Sequence, residues 1–261
     1  MGCTSSKPRR PTQIAGDPKL PQELVDEILD HLAEDTRTLR SCSLVAKSWI
    51  SPSRRHLFST LVLNPEGILE WNKTFPNPED SPAGHVRQLF IPFQTNVPIN
   101  FADRMPYFSN VQQLCFTSLY ASVPSSISAL GPLPPTIRSV GFTLSTIPIA
   151  DFISVIQQLP NLDDLSFWIA SLTGEVSAVL RKPIQKRLGG KLLINGGSLV
   201  DILDTLTEIP PGPKFVEVEI HSILPPYLPA VFKFVRACQD TLTKLHIITL
   251  GEGRSLHSLR A

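Results

Sequence analysis

The sequence predicts an α/β chain, with a short all-helical segment over residues 20–58 followed over 59–261 by a parallel β-α solenoid of about seven irregular repeats. Three observations predict it. An apolar-x-x-apolar-x-apolar triplet returns along the C-terminal part at near-constant spacing. Apolar stripes at helical spacing lie between the triplets. Finally, 25 prolines are spread through the 261 residues, which keeps helices and strands short and suits a repeat protein better than a helical bundle.

The triplets read "VRQLFI" (Val86, Leu89, Ile91), "VQQLCF" (Val111, Leu114, Phe116), "IRSVGF" (Ile137, Val140, Phe142) and "LDDLSF" (Leu162, Leu165, Phe167). A degenerate copy, "GGKLLI", keeps Leu192 and Ile194 in phase. "FVEVEI" (Phe215, Val218, Ile220) and "LTKLHI" (Leu242, Leu245, Ile247) complete the series. The middle residues Leu89, Leu114, Val140, Leu165, Leu192, Val218 and Leu245 recur at intervals of 25–27 residues. "FSTLVL" (Phe58, Leu61, Leu63) is a candidate earlier copy, set off by a longer insert through "NPEDSPAG".

Between triplets, Ile149, Phe152, Ile153, Ile156 and Leu159 fall at helical spacing, as do Leu199, Ile202, Leu203 and Leu206 behind Ser198, an expected N-cap. Leu228, Val231, Val235 and Cys238 form a further stripe, started by Pro229. Strand, loop, helix, loop at this period is the sequence form of a parallel β-α solenoid. The array resembles leucine-rich repeats. It departs from them where the family places Asn or Cys, eight residues after the first apolar position; here stand Gln94, Leu119, Ser145, Ala170, Ile223 and Leu250. The sequence stops just after the last strand with no capping helix in view. A makeshift cap from the tail and a truncated product are the two alternatives.

In the helical segment, Pro21 suits the first turn of a helix and Glu23 the positive end of its dipole. Leu24, Ile28 and Leu32 fall at i, i+4 and i+8, broadened by Val25 and Leu29. A second helix is expected from Asp35 as N-cap, carrying Leu39, Cys42, Val45, Ala46 and Trp49 and ending at Pro52. A third short segment, "SRRHLF", runs to Phe58. So small a segment closes only a small core, so its apolar surface needs a second outlet, on the rest of the chain or on a partner.

The pattern "LPQELVDEILDHL…LRSCSLVAKSW…LF" closely resembles the F-box, the helical module that joins its carriers to SCF-type cullin–RING ubiquitin ligases. Leu20, Pro21, Glu23, Leu24, Ile28, Leu29, Leu32, Leu39, Val45, Lys47 and Trp49 fall on the family pattern. The leucine often found just after Asp35 is missing, since Thr36 and Arg37 follow. The resemblance implies a Skp-family linker as partner, held by Leu20, Pro21, Leu24, Ile28, Leu29, Leu32, Leu39, Val45 and Trp49. A leucine-rich-repeat array is the F-box's common companion and implies a bound target protein.

Residues 1–19 read as a tether. Its start, "MGCTSSK", fits the N-myristoylation pattern at Gly2, with Ser6 at its last position and Cys3 placed for palmitoylation. One myristoyl chain holds a membrane only marginally, with K on the order of 10⁴ M⁻¹, so Cys3 or the basic Lys7, Arg9 and Arg10 would have to assist. A chance match on a disordered start is the alternative. Otherwise the chain reads as cytoplasmic or nuclear. Its four cysteines, Cys3, Cys42, Cys115 and Cys238, are widely and irregularly spaced, as for reduced thiols. A formal net charge of +1 gives no case for nucleic acid.

No catalytic motif is found, and no cofactor is expected. The six histidines show no ligand spacing with one another or with cysteine, so no metal is expected either. The expected role is a non-catalytic adaptor, the alternative a membrane-anchored scaffold acting outside a ligase. Within each triplet the intervening residues face away from the core. Asp164, Ser166 and Trp168 thereby share one strand, Glu217, Glu219 and His221 another, and Lys244 and His246 the last. Asp164, Trp168, Glu217, Glu219 and His246 are the candidate target-binding residues. For Trp168 the alternative is packing at the edge of the core.

Overall fold

The computed structural model describes residues 20–93, 102–118, 130–174, 176, 188–249 and 256–260. The chain divides after Leu57 into two compact units.

The first unit holds α1 (Gln22–His31), α2 (Thr36–Cys42) and α3 (Lys47–Leu57). Pro21 precedes α1, and its carbonyl accepts the amides of Leu24 at 3.1 Å and Val25 at 3.2 Å. Asp35 caps α2: its carboxylate accepts the Thr38 hydroxyl at 2.6 Å and the Thr38 amide at 3.0 Å. These bonds, the hydroxyl's first, hold the Asp35 carboxyl below its ordinary value. The single helix expected between Asp35 and Pro52 is two. Helix α2 stops at Cys42, where the Ser41 and Ser43 hydroxyls donate to the Arg37 and Arg40 carbonyls. Pro52 does not end a helix but lies inside α3. A proline there leaves the Ser48 carbonyl without its helical donor, and the Gln22 side-chain amide reaches that carbonyl at 3.5 Å. Val25, Leu29 and Leu39 form the buried core, with Leu32, Cys42, Trp49 and Leu57 packed on it. Asp30 ties α1 to α3 through Arg55 and His56, each at 2.9 Å.

The second unit is α/β with a mostly parallel sheet. It contains β1 (Thr60–Val62), α4 (Pro65–Thr74), β2 (Gln88–Phe93), β3 (Gln113–Ser118), β4 (Ser139–Thr143), β5 (Thr146–Pro148) and α5 (Ile149–Gln158). Then come β6 (Asp164–Trp168), β7 (Ser171–Thr173), β8 (Gly189–Asn195), α6 (Leu199–Glu208), β9 (Lys214–Ile223), α7 (Leu228–Ala237), β10 (Lys244–Thr249) and β11 (Leu256–Arg260). Nine strands form one sheet in the order β1-β2-β3-β4-β6-β8-β9-β10-β11, and β5 pairs with β7 in a second, two-stranded one. Every neighbouring pair is parallel except β10 and β11.

Register follows the triplets. Leu61, Leu89, Leu114, Val140, Leu165, Leu192, Val218 and Leu245 pair in succession across the sheet. Two residues on, Ile91, Phe116, Phe142, Phe167, Ile194, Ile220 and Ile247 do the same. Phe116, Phe142 and Phe167 stack at centroid distances of 5.4 and 5.6 Å, and Phe152 of α5 meets Phe142 at 5.9 Å. Ile202, Leu203 and Leu206 of α6 and Val231 and Phe234 of α7 join the same core. Leu61 of "FSTLVL" therefore stands in the same register row as the seven middle residues of the triplets. Phe58, read above with the helical segment, packs in this unit against Trp71, at a centroid distance of 6.4 Å.

Side chains also bind repeat to repeat. Asn110 donates to the Gly84 carbonyl at 2.6 Å and Asn161 to the Pro135 carbonyl at 2.9 Å. Each stands just before the first apolar residue of its triplet, not at the position the leucine-rich-repeat pattern suggests. There, Ser145, Ala170 and Ile223 are buried; Gln94, Leu119 and Leu250 lie outside the described residues. Ser198 stands at the α6 N-cap, as expected, but makes no side-chain cap bond; its amide donates instead to the Ala170 carbonyl at 3.0 Å.

Candidate functional site

Two surfaces merit attention, one on each unit. On the first unit, α1 divides its apolar residues between two directions. Val25 and Leu29 turn inward to meet Leu39, while Leu24 and Ile28 remain 45% and 40% exposed. Leu20 and Pro21 are exposed ahead of the helix. Leu44 and Val45, in the turn between α2 and α3, are exposed at 87% and 68%. Trp49 and Leu32 pack on the internal core. Of the residues expected to hold a linker, Leu20, Pro21, Leu24, Ile28 and Val45 therefore remain available. Leu29 and Leu39 are corrected to the unit's own core, where both are fully buried. The sequence could not separate the two sets, because adjacent positions on a short amphipathic helix differ in phase by a fraction of a turn. Leu44, which sequence reasoning missed, is the most exposed of these apolar side chains.

On the second unit, the open face of the sheet carries the residues between the stacked core rows. Pairing sets them in cross-strand rows. Asp164, Lys191, Glu217 and Lys244 form one, so the signs of charge alternate. Ser166, Leu193, Glu219 and His246 form the next, and Trp168, Asn195 and His221 the third. All five candidate target-binding residues thus lie on three strands, β6, β9 and β10, with β8 between the first two. Trp168 is 42% exposed, which places it on this face and not in the core edge.

The charges interlock. Lys191 reaches Glu217 and Glu219, each at 3.1 Å, and Lys244 reaches Glu217 at 2.9 Å. Hydrogen bonds from Lys244 and then Lys191 hold the Glu217 carboxyl below its ordinary value. At Glu219, burial pushes the other way, but bonds from Lys191 and His221 outweigh it, and the net direction is down. The same contacts raise Lys191. Asp164 differs: burial first, then the neighbouring Asp163 charge, raise its carboxyl. Lys191 was not singled out by the sequence reading, because "GGKLLI" is the most degenerate triplet; its register with Asp164 and Glu217 is the signal that finds it.

Cys42, Cys115 and Cys238 are free thiols. Burial pushes Cys115 up and Cys238 up to about 11, which leaves both protonated and poorly nucleophilic at neutral pH. Gly2 and Cys3, the candidate acylation sites, lie outside the described residues. Among the described residues, no helix is long and apolar enough to cross a membrane. No protein-family model matches the chain, and no curated protein matches it.

Proposed function

We propose that this chain is a non-catalytic substrate-recognition adaptor of an SCF-type cullin–RING ubiquitin ligase. The first unit is an F-box that docks a Skp-family linker. The second is a leucine-rich-repeat-like solenoid that holds the target. The carrying observation is the apolar surface of the first unit. Leu20, Pro21, Leu24, Ile28 and Val45 fall on the F-box pattern and stay exposed, while Val25, Leu29 and Leu39 supply the internal core. Burying each exposed Leu, Ile or Val in an interface is worth about 1–2 kcal/mol at this partial exposure, enough together for stable docking. The in-order, in-register strands of the second unit support the solenoid reading. Rate would be gained by proximity, because tethering a target raises its effective concentration into the range of mM.

Purified Skp-family linker provides the test. Leu24→Asp/Ile28→Asp, made at exposed positions, is expected to keep the helical signal of the chain and weaken linker capture at least about 100-fold. A wild-type chain that captures no linker, or a variant that captures it equally well, overturns the reading. The "MGCTSSK" start favours a second one, a membrane-anchored scaffold outside any ligase. Acyl label on Gly2 together with no linker capture would select it.

A further inference from the structure

The open sheet face brings together three groups able to ligate a metal, two on one strand and the third about one repeat further along the sequence. Glu219 and His221 lie two residues apart on β9 and share a face. His246 of β10 pairs directly with Glu219. Glu219 Oε1 is 2.7 Å from His221 Nε2 and 3.8 Å from His246 Nδ1. One ligand atom from each of the three lies within 4.8 Å of the others. The imidazole rings stand nearly perpendicular, at 80°, with centroids 6.0 Å apart.

Zinc bonds of about 2.0–2.2 Å in a tetrahedron place neighbouring ligand atoms roughly 3.4 Å apart. The short Glu219–His221 contact and the longer Glu219–His246 one bracket that separation, so small side-chain movements suffice. Lys191 Nζ holds the other carboxylate oxygen, Oε2, at 3.1 Å. It fixes the Glu219 plane and leaves Oε1 turned to the histidines, the role of an outer-shell partner. The three side chains are 21–34% exposed, which constrains them and keeps one side open.

We propose that Glu219, His221 and His246 form a three-ligand site for a divalent transition-metal ion, zinc foremost, with its fourth position open to water or to a side chain of a bound protein. Two imidazoles and one carboxylate suit zinc and its neighbours; calcium and magnesium take oxygen ligands. Asn195 and Trp168 continue the row from His221, so Trp168 stands about 10 Å away across two strands. A protein seated on Trp168 would therefore also cover the open metal position.

The test uses the full chain, stripped with a chelator and titrated calorimetrically with zinc in a non-coordinating buffer at neutral pH. Cobalt(II) is the spectroscopic probe. Wild type is expected to take up one equivalent and to show the intense visible bands of four- or five-coordinate cobalt. His246→Gln and His221→Ala, checked for folding by circular dichroism, are each expected to weaken uptake at least 10-fold and to abolish those bands. No uptake by wild type, or uptake unchanged in both variants, overturns the site. The two histidines lie on different strands, so either variant decides if the other misfolds. Zinc uptake is read on the second unit and linker capture on the first, so each can fail without the other.

Discussion

Phe142 is the residue on which the core of the second unit turns. It is fully buried, stacked between Phe116 and Phe167 and met edge-on by Phe152. Phe142→Ala removes partners from three repeats at once, and a middle strand collapses poorly onto the gap. The expected cost is about 3–5 kcal/mol, read as a shift in urea midpoint at unchanged slope. Asp164 tests the open face. Its folded carboxyl is raised above the ordinary 3.8, so the folded state holds this proton more tightly than the unfolded one. Stability therefore falls as pH rises from 3.8 to the raised value, and the penalty persists above it. Asp164→Asn should raise the melting temperature at pH 7, and the gain should vanish well below 3.8. The side chain is largely solvent-screened, so the gain stays under about 1 kcal/mol. Residue identity made Phe142 and Asp164 legible in the sequence, since alternation assigns each a face. The Glu219–His246 pairing was not legible by ligand spacing, because its partners are a whole repeat apart.

The strands that carry triplets were readable because one period governs them; β5, β7 and β11, which carry none, and the junctions after the strands were not. Leu144, Ile169, Gly196 and Ser222 all adopt left-handed backbone, with φ of 50°, 50°, 70° and 63°. They recur one repeat apart and turn the chain off the sheet, yet only Gly196 announces such a conformation. Leu and Ile pay for it locally, and the stacked repeats impose it: Leu144 donates its amide to the Trp168 carbonyl at 2.8 Å, and Ile169 to that of Asn195 at 2.7 Å. Helix boundaries in the first unit escaped for a related reason, since a side chain from α1 supports the carbonyl that Pro52 leaves bare. Gly197 tests the junction. Its φ is +80°, and a Cβ there would overlap the Ala170 carbonyl oxygen, the atom that accepts the Ser198 amide. Gly197→Ala should destabilise the second unit by more than about 1 kcal/mol. A midpoint unchanged in denaturant would show that the junction relaxes freely.

An open parallel sheet built repeat by repeat has two edges, and each is a row of unpaired backbone groups that invites another strand. No apolar stripe at helical spacing follows the last triplet. Instead, β11 returns antiparallel along β10, with Lys244 opposite Arg260 and Leu245 opposite Leu259. An antiparallel return carries no copy of the triplet and so has no periodic signal in the sequence; it needs only a short segment able to turn back. Polar groups on β10 that would otherwise face solvent are thereby paired, which the parallel partner β9 on the other side cannot do for them. A chain stopped after Thr249 keeps the triplets and the stacked core but loses this cover. It should self-associate as concentration rises, seen as increasing mass in size-exclusion chromatography with light scattering, where the full chain keeps a constant mass over the same range. Equal mass for both forms at every concentration would mean that β10 tolerates a bare edge, with its exposed Lys244 as a sufficient deterrent to strand addition.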